Sequence, residues 1–382
     1  MRTVPFGRPM IGEQERRAVD AVLQGHVLTH GSRVREFEAA FARYTGAPHA
    51  VATASCTAAM QLAYMHLGIG PGDEVIVPAQ THVGTAHAVE LCGAGCVFAD
   101  SEPLTGNIDL DQVEALISDR TRALAVVHYL GVPVDMDRVM EIAERGNLFV
   151  VEDCALALGA TYKRTHVGLL GDVGCFSFYP IKHITTAEGG MLITRHAELA
   201  ERAASLRAFG IDRHDPERRD TPGEYDVALL GANFRMNEIG AALGIEQMKR
   251  LPDFLERRRE NYEVLRNGLA SIEQLEFCDP AVGDYQQSHY CLVVLLRESI
   301  YRRRPEIIQQ LRERGVGTSI YYPKPVPHMS YYRAKYRFAE SDFPVASKIS
   351  LRSLALPVGP HLNVDDIDYM VNNVAEVLRR LE

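Results

Sequence analysis

From residue 48 onward short apolar runs alternate with amphipathic stretches, and this alternation leaves the chain few architectures. HAVATAS, DEVIVPAQ, GCVFAD, RALAVVHYL and LFVVEDC read as strands; TAAMQLAYMHL, TAHAVELCG, DQVEALIS and MDRVMEIAERG read as the helices between them. Repeated strand–helix–strand units cross over right-handed and build a mostly parallel sheet with helices on both faces, the doubly wound α/β class. GDVGCFSF and GGMLIT add two more strands. Ahead of them VREFEAAFARY is helical and packs on this domain or reaches a partner subunit.

Between residues 235 and 272 the pattern becomes one helical stretch, NEIGAALGIEQMKRL followed by FLERRRENYEVLRNGL, which Pro252 is expected to end or kink. Beyond it HYCLVVLL, PEIIQQLRERG, TSIYY and DIDYMVNNVAEVLRRL predict a smaller α/β domain closing on a helix. A length of 382 residues suits two cores, and 46% hydrophobic residues can fill both. The expected division is 1–245 for the N-terminal segment and large domain, and 246–382 for the bridging helix and small C-terminal domain.

Charge excludes some partners. Lysine and arginine total 41 against 50 acidic residues, a net charge of −9 with no basic block, so no nucleic acid is expected. The start, MRTVPFGRPM, has no apolar core of a signal sequence, and no window approaches the ~18 uncharged apolar residues of a membrane span. A cytoplasmic protein is expected. Seven cysteines without paired C-x-x-C motifs read as buried thiols, and fourteen histidines show no H-E-x-x-H, so no metal is expected.

In doubly wound sheets ligands collect at the carboxyl ends of the strands. Three candidates fall there. After VATAS, residues Cys56, Thr57, Ala58 and Ala59 open a helix whose free N–H groups and positive dipole end suit a phosphate, although Ser or Thr at such a turn is also an ordinary cap. The strand LFVVE delivers Asp153, an acid that needs a cation or donors where it stands, with Glu152 beside it as an equal candidate. FSFYPIKHITTAEGG sets Lys182 among apolar and aromatic residues, where the ammonium form is disfavoured and the neutral amine becomes a Schiff-base nucleophile. A phosphate turn, a strand-end carboxylate and a desolvated lysine are together the contacts that pyridoxal phosphate needs. Gly189 and Gly190 let backbone pass close to a planar group, or simply turn the chain into GGMLIT.

At these residues the sequence resembles the sugar aminotransferase family called DegT/DnrJ/EryC1/StrS, a branch of the fold-type I pyridoxal phosphate enzymes. The likeness runs through GPGDEVIVPA, GNIDL, LFVVEDCALALGATY, GLLGDVGCFSFYPIKHITTAEGGMLIT, GANFRMNEIGAALGIEQMKRL and IYYPKPVPH, from about residue 5 to 375. It implies a mostly parallel seven-stranded sheet and a smaller C-terminal α/β domain. It also implies that Lys182 carries the cofactor as a Schiff base and that Asp153 pairs with the pyridinium nitrogen. Thr57, Ala58 and Ser177 would hold the phosphate, joined by Asn233 from the second subunit of a homodimer with shared active sites; Arg235 assists from that neighbour, on the substrate side. His82 takes the place of the ring that stacks on the cofactor.

Two departures stand out. Cys56 replaces a glycine usual in the family. Leu156 replaces a glutamine that commonly meets the phenolic oxygen, so a partner for that oxygen is expected from elsewhere. His183, Glu188 and His328 occupy positions that the resemblance places near the sugar, and each is equally a polar residue satisfied by backbone. The reaction implied is transfer of an amino group from an amino acid, glutamate first among candidates, to a keto sugar, with pyridoxamine phosphate as the intermediate form. ITTAEGG is similar to members that aminate C4 of 4-keto-6-deoxy or pentose nucleotide sugars, more than to C3-aminating members, which tend to read K-N-L-G there. Relatives with histidine for the lysine are keto-sugar dehydratases, and a regulatory binder without catalysis is the other rival.

Overall fold

In the computed structural model, residues 2–212, 225–278 and 284–381 are described. Seven strands form the central sheet: β1 (His49–Thr53), β2 (Glu74–Pro78), β3 (Gly95–Ala99), β4 (Thr121–Val127), β5 (Phe149–Asp153), β6 (Val173–Ser177) and β7 (Gly190–Thr194). Their order is β1-β7-β6-β5-β4-β2-β3. β7 runs antiparallel to both its neighbours, and the remaining pairs are parallel. The mostly parallel seven-stranded sheet is therefore as expected.

Alternation along each strand sends side chains to two apolar layers. In β2, Val75 and Val77 join Leu62, Tyr64 and Val151 on one face, while Ile76 joins Leu124, Val150, Val139 and Ile142 on the other. Both faces are covered, so strands such as β4 are almost continuously hydrophobic. The helix Ser32–Thr45 sends Phe37 and Phe41 against Phe176 and Phe178, with ring centroids 5.0–5.6 Å apart at the closest contacts. Within its own chain, then, VREFEAAFARY packs on the large sheet.

The expected break at Pro252 does not occur. A single helix, Glu238–Leu269, runs through the proline for 32 residues. A mid-helix proline costs about 3 kcal/mol through its missing N–H and ring clash. Neighbouring Leu251 and Phe254 are buried in the phenylalanine-rich core, and each such burial contributes about 1.5–3 kcal/mol, enough to offset that loss. Further on, Leu265 and Leu269 enter a second core. That core joins the antiparallel strands Leu275–Phe277, Leu292–Leu296 and Ser353–Leu356 to the helices Arg304–Glu313 and Val364–Arg379. Position 245 falls inside this helix.

Candidate active site

The carboxyl ends of β1, β2, β5 and β6 lie along one edge of the sheet and carry the chemistry. β1 stops at Thr53, and Ser55 caps the helix Cys56–Leu67 by accepting a hydrogen bond from Ala58 N at 3.1 Å. This turn is pressed against the start of β7: a Cβ on Gly190 would lie 2.3 Å from the Ser55 carbonyl carbon and 2.5 Å from Cys56 N. Gly190 is thus required by protein backbone. A Cβ on Gly84 would likewise meet Thr57 Oγ1 at 2.7 Å. We expect Gly190→Ala to destabilise the fold by about 1–3 kcal/mol, read as a lower urea midpoint, because backbone cannot move aside as a flexible side chain could; an unchanged midpoint would refute the close approach.

Strand alternation separates the two acids of β5. Asp153 faces the site: its Oδ2 accepts from Thr85 Oγ1 at 2.7 Å, its Oδ1 accepts from Ala155 N at 3.0 Å, and the Cys56 thiol lies 3.9 Å from Oδ1. Burial and the Asp153 charge hold that thiol protonated, its pKa well above the usual value. Glu152 points the opposite way. Its carboxylate accepts from Gly168, Leu170 and Gly171 N–H groups at 2.6–2.9 Å and lies 2.9 Å from His128 Nε2. His128 Nδ1 accepts from Val134 N, so Nε2 carries the hydrogen donated to Glu152. His128, Glu152 and Cys154 lie within ligating distance of one another, but the acid's oxygens are taken up by these protein donors. Glu152 shapes the 168–171 loop, and Asp153 is the available carboxylate.

Lys182 follows β6 in a turn closed by its own N–H on the Tyr179 carbonyl at 2.9 Å. The side chain is partly buried, with Nζ 5.2 Å from the centre of the Tyr290 ring. Burial lowers its pKa to about 8, against the opposing pull of the Asp153 carboxylate. Ser177, at the end of β6, pairs in register with Gly190 and so lies beside the Ser55–Cys56 turn. His82 caps the helix Val83–Glu90 by accepting from Gly84 N at 3.1 Å, and its exposed ring meets Tyr322 edge-on at 5.9 Å.

The other expected residues make contacts of their own around this edge. The segment 233–235 runs against the end of β1, Arg235 pairing through its backbone with Thr53 and the Phe234 carbonyl accepting from Ala54 N at 2.7 Å, while Arg235 Nε donates to Asn233 Oδ1 at 3.1 Å. His183 is buried with Nε2 3.1 Å from the Ser288 carbonyl, so backbone satisfies it. Glu188 is exposed, and its carbonyl accepts from Thr186 Oγ1. His328 sits between the Ala339 carbonyl at 3.0 Å and Ser347 Oγ at 3.5 Å. Leu156 packs with Tyr129, Tyr290 and Cys291. Sequence reasoning missed Thr85, Tyr290 and Tyr322. Thr85 was within reach, since it lies three residues after His82 on the helix that leaves β2.

The site thus offers an anion cradle, a carboxylate held by donors and an amine of lowered pKa, which is the donor set that pyridoxal phosphate requires. Residues 9–375 match the model of the DegT/DnrJ/EryC1/StrS aminotransferase family. The chain belongs to this family. It is 38% identical over 381 residues to the spore coat polysaccharide biosynthesis protein SpsC of Bacillus subtilis (strain 168), covering 98% of this chain and 97% of that one. Spr1654 of Streptococcus pneumoniae, solved in PLP and PMP forms, superposes in its PMP form with TM-score 0.94 at 28% identity over 100% of both chains. PseC of Helicobacter pylori, an aminotransferase involved in the biosynthesis of pseudoaminic acid, superposes with TM-score 0.92 at 28% identity over 99% of this chain and 100% of its own. As a member of the family this chain is a sugar aminotransferase of fold-type I that depends on pyridoxal phosphate and passes through the pyridoxamine form. No helix among the described residues is long and apolar enough to cross a membrane.

Proposed function

We propose that the enzyme takes its amino group from L-glutamate and delivers it to C4 of a nucleotide-linked 4-keto-6-deoxy sugar in the cytoplasm. The observation carrying this reading is the convergence of Lys182, Asp153 and the Ser55–Ala58 turn at one edge of the sheet. SpsC and PseC, named for work on polysaccharide and pseudoaminic acid, support a sugar acceptor, and the ITTAEGG segment supports C4.

When bound, pyridoxal phosphate supplies an aldehyde that condenses with amines and a ring that withdraws electrons from the donor's Cα. Thr57, Ala58 and Ser177 would hold its phosphate, Asp153 its ring nitrogen, Lys182 its aldehyde carbon and His82 one ring face. Thr85 and Ala155 keep the Asp153 carboxylate oriented while it bears its charge. Once freed by the incoming donor, Lys182 Nζ takes the proton from the donor's Cα as general base. With a pKa of about 8, roughly a tenth of such amines are neutral at pH 7, far more than for an ordinary lysine. In the second half-reaction the same Nζ returns a proton to the sugar carbon that receives the amine. A histidine in the lysine's place marks the dehydratase branch; here His183 is engaged by Ser288, which favours amination.

A second subunit completes the reading. Leu230 is 92% exposed, and Leu23, Val27, Leu28, Phe209 and Val227 are also exposed apolar groups. Some of these segments meet the Asn233–Arg235 pair: the Arg235 guanidinium lies 5.1 Å from the Phe209 ring centre, and Arg235 Nη1 lies 3.0 Å from His30 Nε2. Such a patch supports a homodimer in which Asn233 crosses to the partner's phosphate site. The double variant Leu230→Asp, Phe209→Asp is expected to sediment as a monomer and to bind the cofactor at least roughly ten-fold more weakly. A parent protein that sediments as a monomer would sink the shared-site reading.

The decisive experiment gives glutamate to the cofactor-loaded enzyme without sugar and follows the visible cofactor absorption together with 2-oxoglutarate. Stoichiometric keto acid supports the donor assignment, and 4-keto and 3-keto nucleotide sugars then compete for the aminated enzyme. Keto acid formed from other amino acids but not from glutamate would overturn the donor. Preference for a 3-keto sugar would overturn C4.

A further inference from the structure

Arg258 lies on the long helix and is 5% exposed, yet no described carboxylate pairs with it. Its Nη1 donates to the Tyr290 carbonyl at 2.8 Å and its Nη2 to the Lys182 carbonyl at 3.5 Å, while Nε is buried without a partner. The adjoining cavity, lined by Arg258, Lys182, Tyr290, Arg8 and His361 among others, measures about 20 Å³. That is room for about one water and for no acidic side chain. The guanidinium therefore carries its charge without an opposing carboxylate among the described residues, in a place less screened than the surface.

One neighbour is Lys182. Its Nζ and the Arg258 guanidinium carbon lie 5.2 and 6.0 Å from the centre of the same Tyr290 ring. We propose that Arg258 is a positioning residue for Lys182, anchoring the lysine's own carbonyl and keeping a fixed positive charge across the shared Tyr290 ring, so that a larger share of the amine is free as the nucleophile. A cation beside a reactive lysine is a known way to free its lone pair. The inference deepens the role given to Lys182 above and rests on that reading.

The groups facing Lys182 come from several elements. Burial opposes the ammonium most and Arg258 adds to it, whereas Asp153 at the end of β5 favours it; Cys56 and Cys291 also face the amine as neutral thiols, their pKa values raised by burial. His82 and His183 also feel the lysine's charge. Of these, Arg258 alone is a permanent cation that bonds the lysine's backbone.

The test titrates Lys182 in the cofactor-free full chain, by trace acylation across pH with mass-spectrometric readout of that residue. The parent is expected to reach half-maximal labelling near pH 8. Arg258→Gln, which keeps a donor for the Tyr290 carbonyl but loses the charge, is expected to move the midpoint measurably upward. Arg258→Lys restores the charge and is expected to stay at the parent value. A folded Gln variant with an unmoved midpoint would overturn the proposal, as would a Lys variant shifted as far as the Gln variant. A parent midpoint near the ordinary lysine value overturns it without any variant. Because no cofactor or sugar is present, failure of the amination reading and failure of this one are separate results.

Discussion

The Lys182→Ala variant is expected to fold normally, to bind pyridoxal phosphate without a covalent link, and to lose turnover by at least about 10⁴-fold. Two functions disappear together: the amine that bonds the cofactor and the base that moves the Cα proton, each of which carries orders of magnitude in rate. The fold should survive because Lys182 makes no side-chain hydrogen bond among the described residues and its backbone N–H to Tyr179 is kept. Treatment with borohydride followed by mass spectrometry checks the first function directly: the parent should carry the cofactor's mass on Lys182, the variant nowhere. Turnover within ten-fold of the parent would remove Lys182 from the mechanism.

Asp153→Asn comes next, with an expected loss of about 10²–10³-fold in kcat, the cost typical of removing one prearranged electrostatic partner. The substitution is nearly isosteric, so the Ala155 N–H bond to the side-chain oxygen can remain. On the other side Thr85 can turn to accept from the new amide, since Thr81 Oγ1 lies 2.7 Å from its hydroxyl and can take the displaced hydrogen. What cannot be replaced is the negative charge, so the ring nitrogen loses its counter-ion while shape is preserved. Melting temperature and cofactor occupancy should therefore change little as kcat falls. A variant as fast as the parent would mean that the ring nitrogen is held by another group; a large loss of stability would mean that Asp153 is chiefly structural.

How much of this was legible beforehand depends on the length scale of the signal. The seven-stranded sheet follows from strands buried on both faces, whose apolar runs are visible in residues such as 74–78 and 121–127. Lys182 and a carboxylate at the end of β5 were legible because each is an ionisable group at the end of an apolar run. The choice between Glu152 and Asp153 was not, because which face of β5 looks at the site depends on the 168–171 loop folding back onto Glu152. Pro252 misled for a related reason: local propensity argues for a break, and the burial that outweighs it on either side is tertiary. Arg258 sits in a run of three arginines that reads as a solvated face, and only packing separates the buried member from Arg257 and Arg259, which pair with nearby glutamates.

The unbroken helix Glu238–Leu269 has a consequence for anyone wishing to graft one relative's C-terminal part onto another's sheet. Both cores read their register from the same rod. Adding or deleting one residue between Phe254 and Leu265 would turn everything downstream by about 100° and shift it by about 1.5 Å. Strands 275–277, 292–296 and 353–356 would then present a different flank to Lys182. Productive chimaeras should thus join at equal helix length, and natural length variation between relatives should gather in the loops instead.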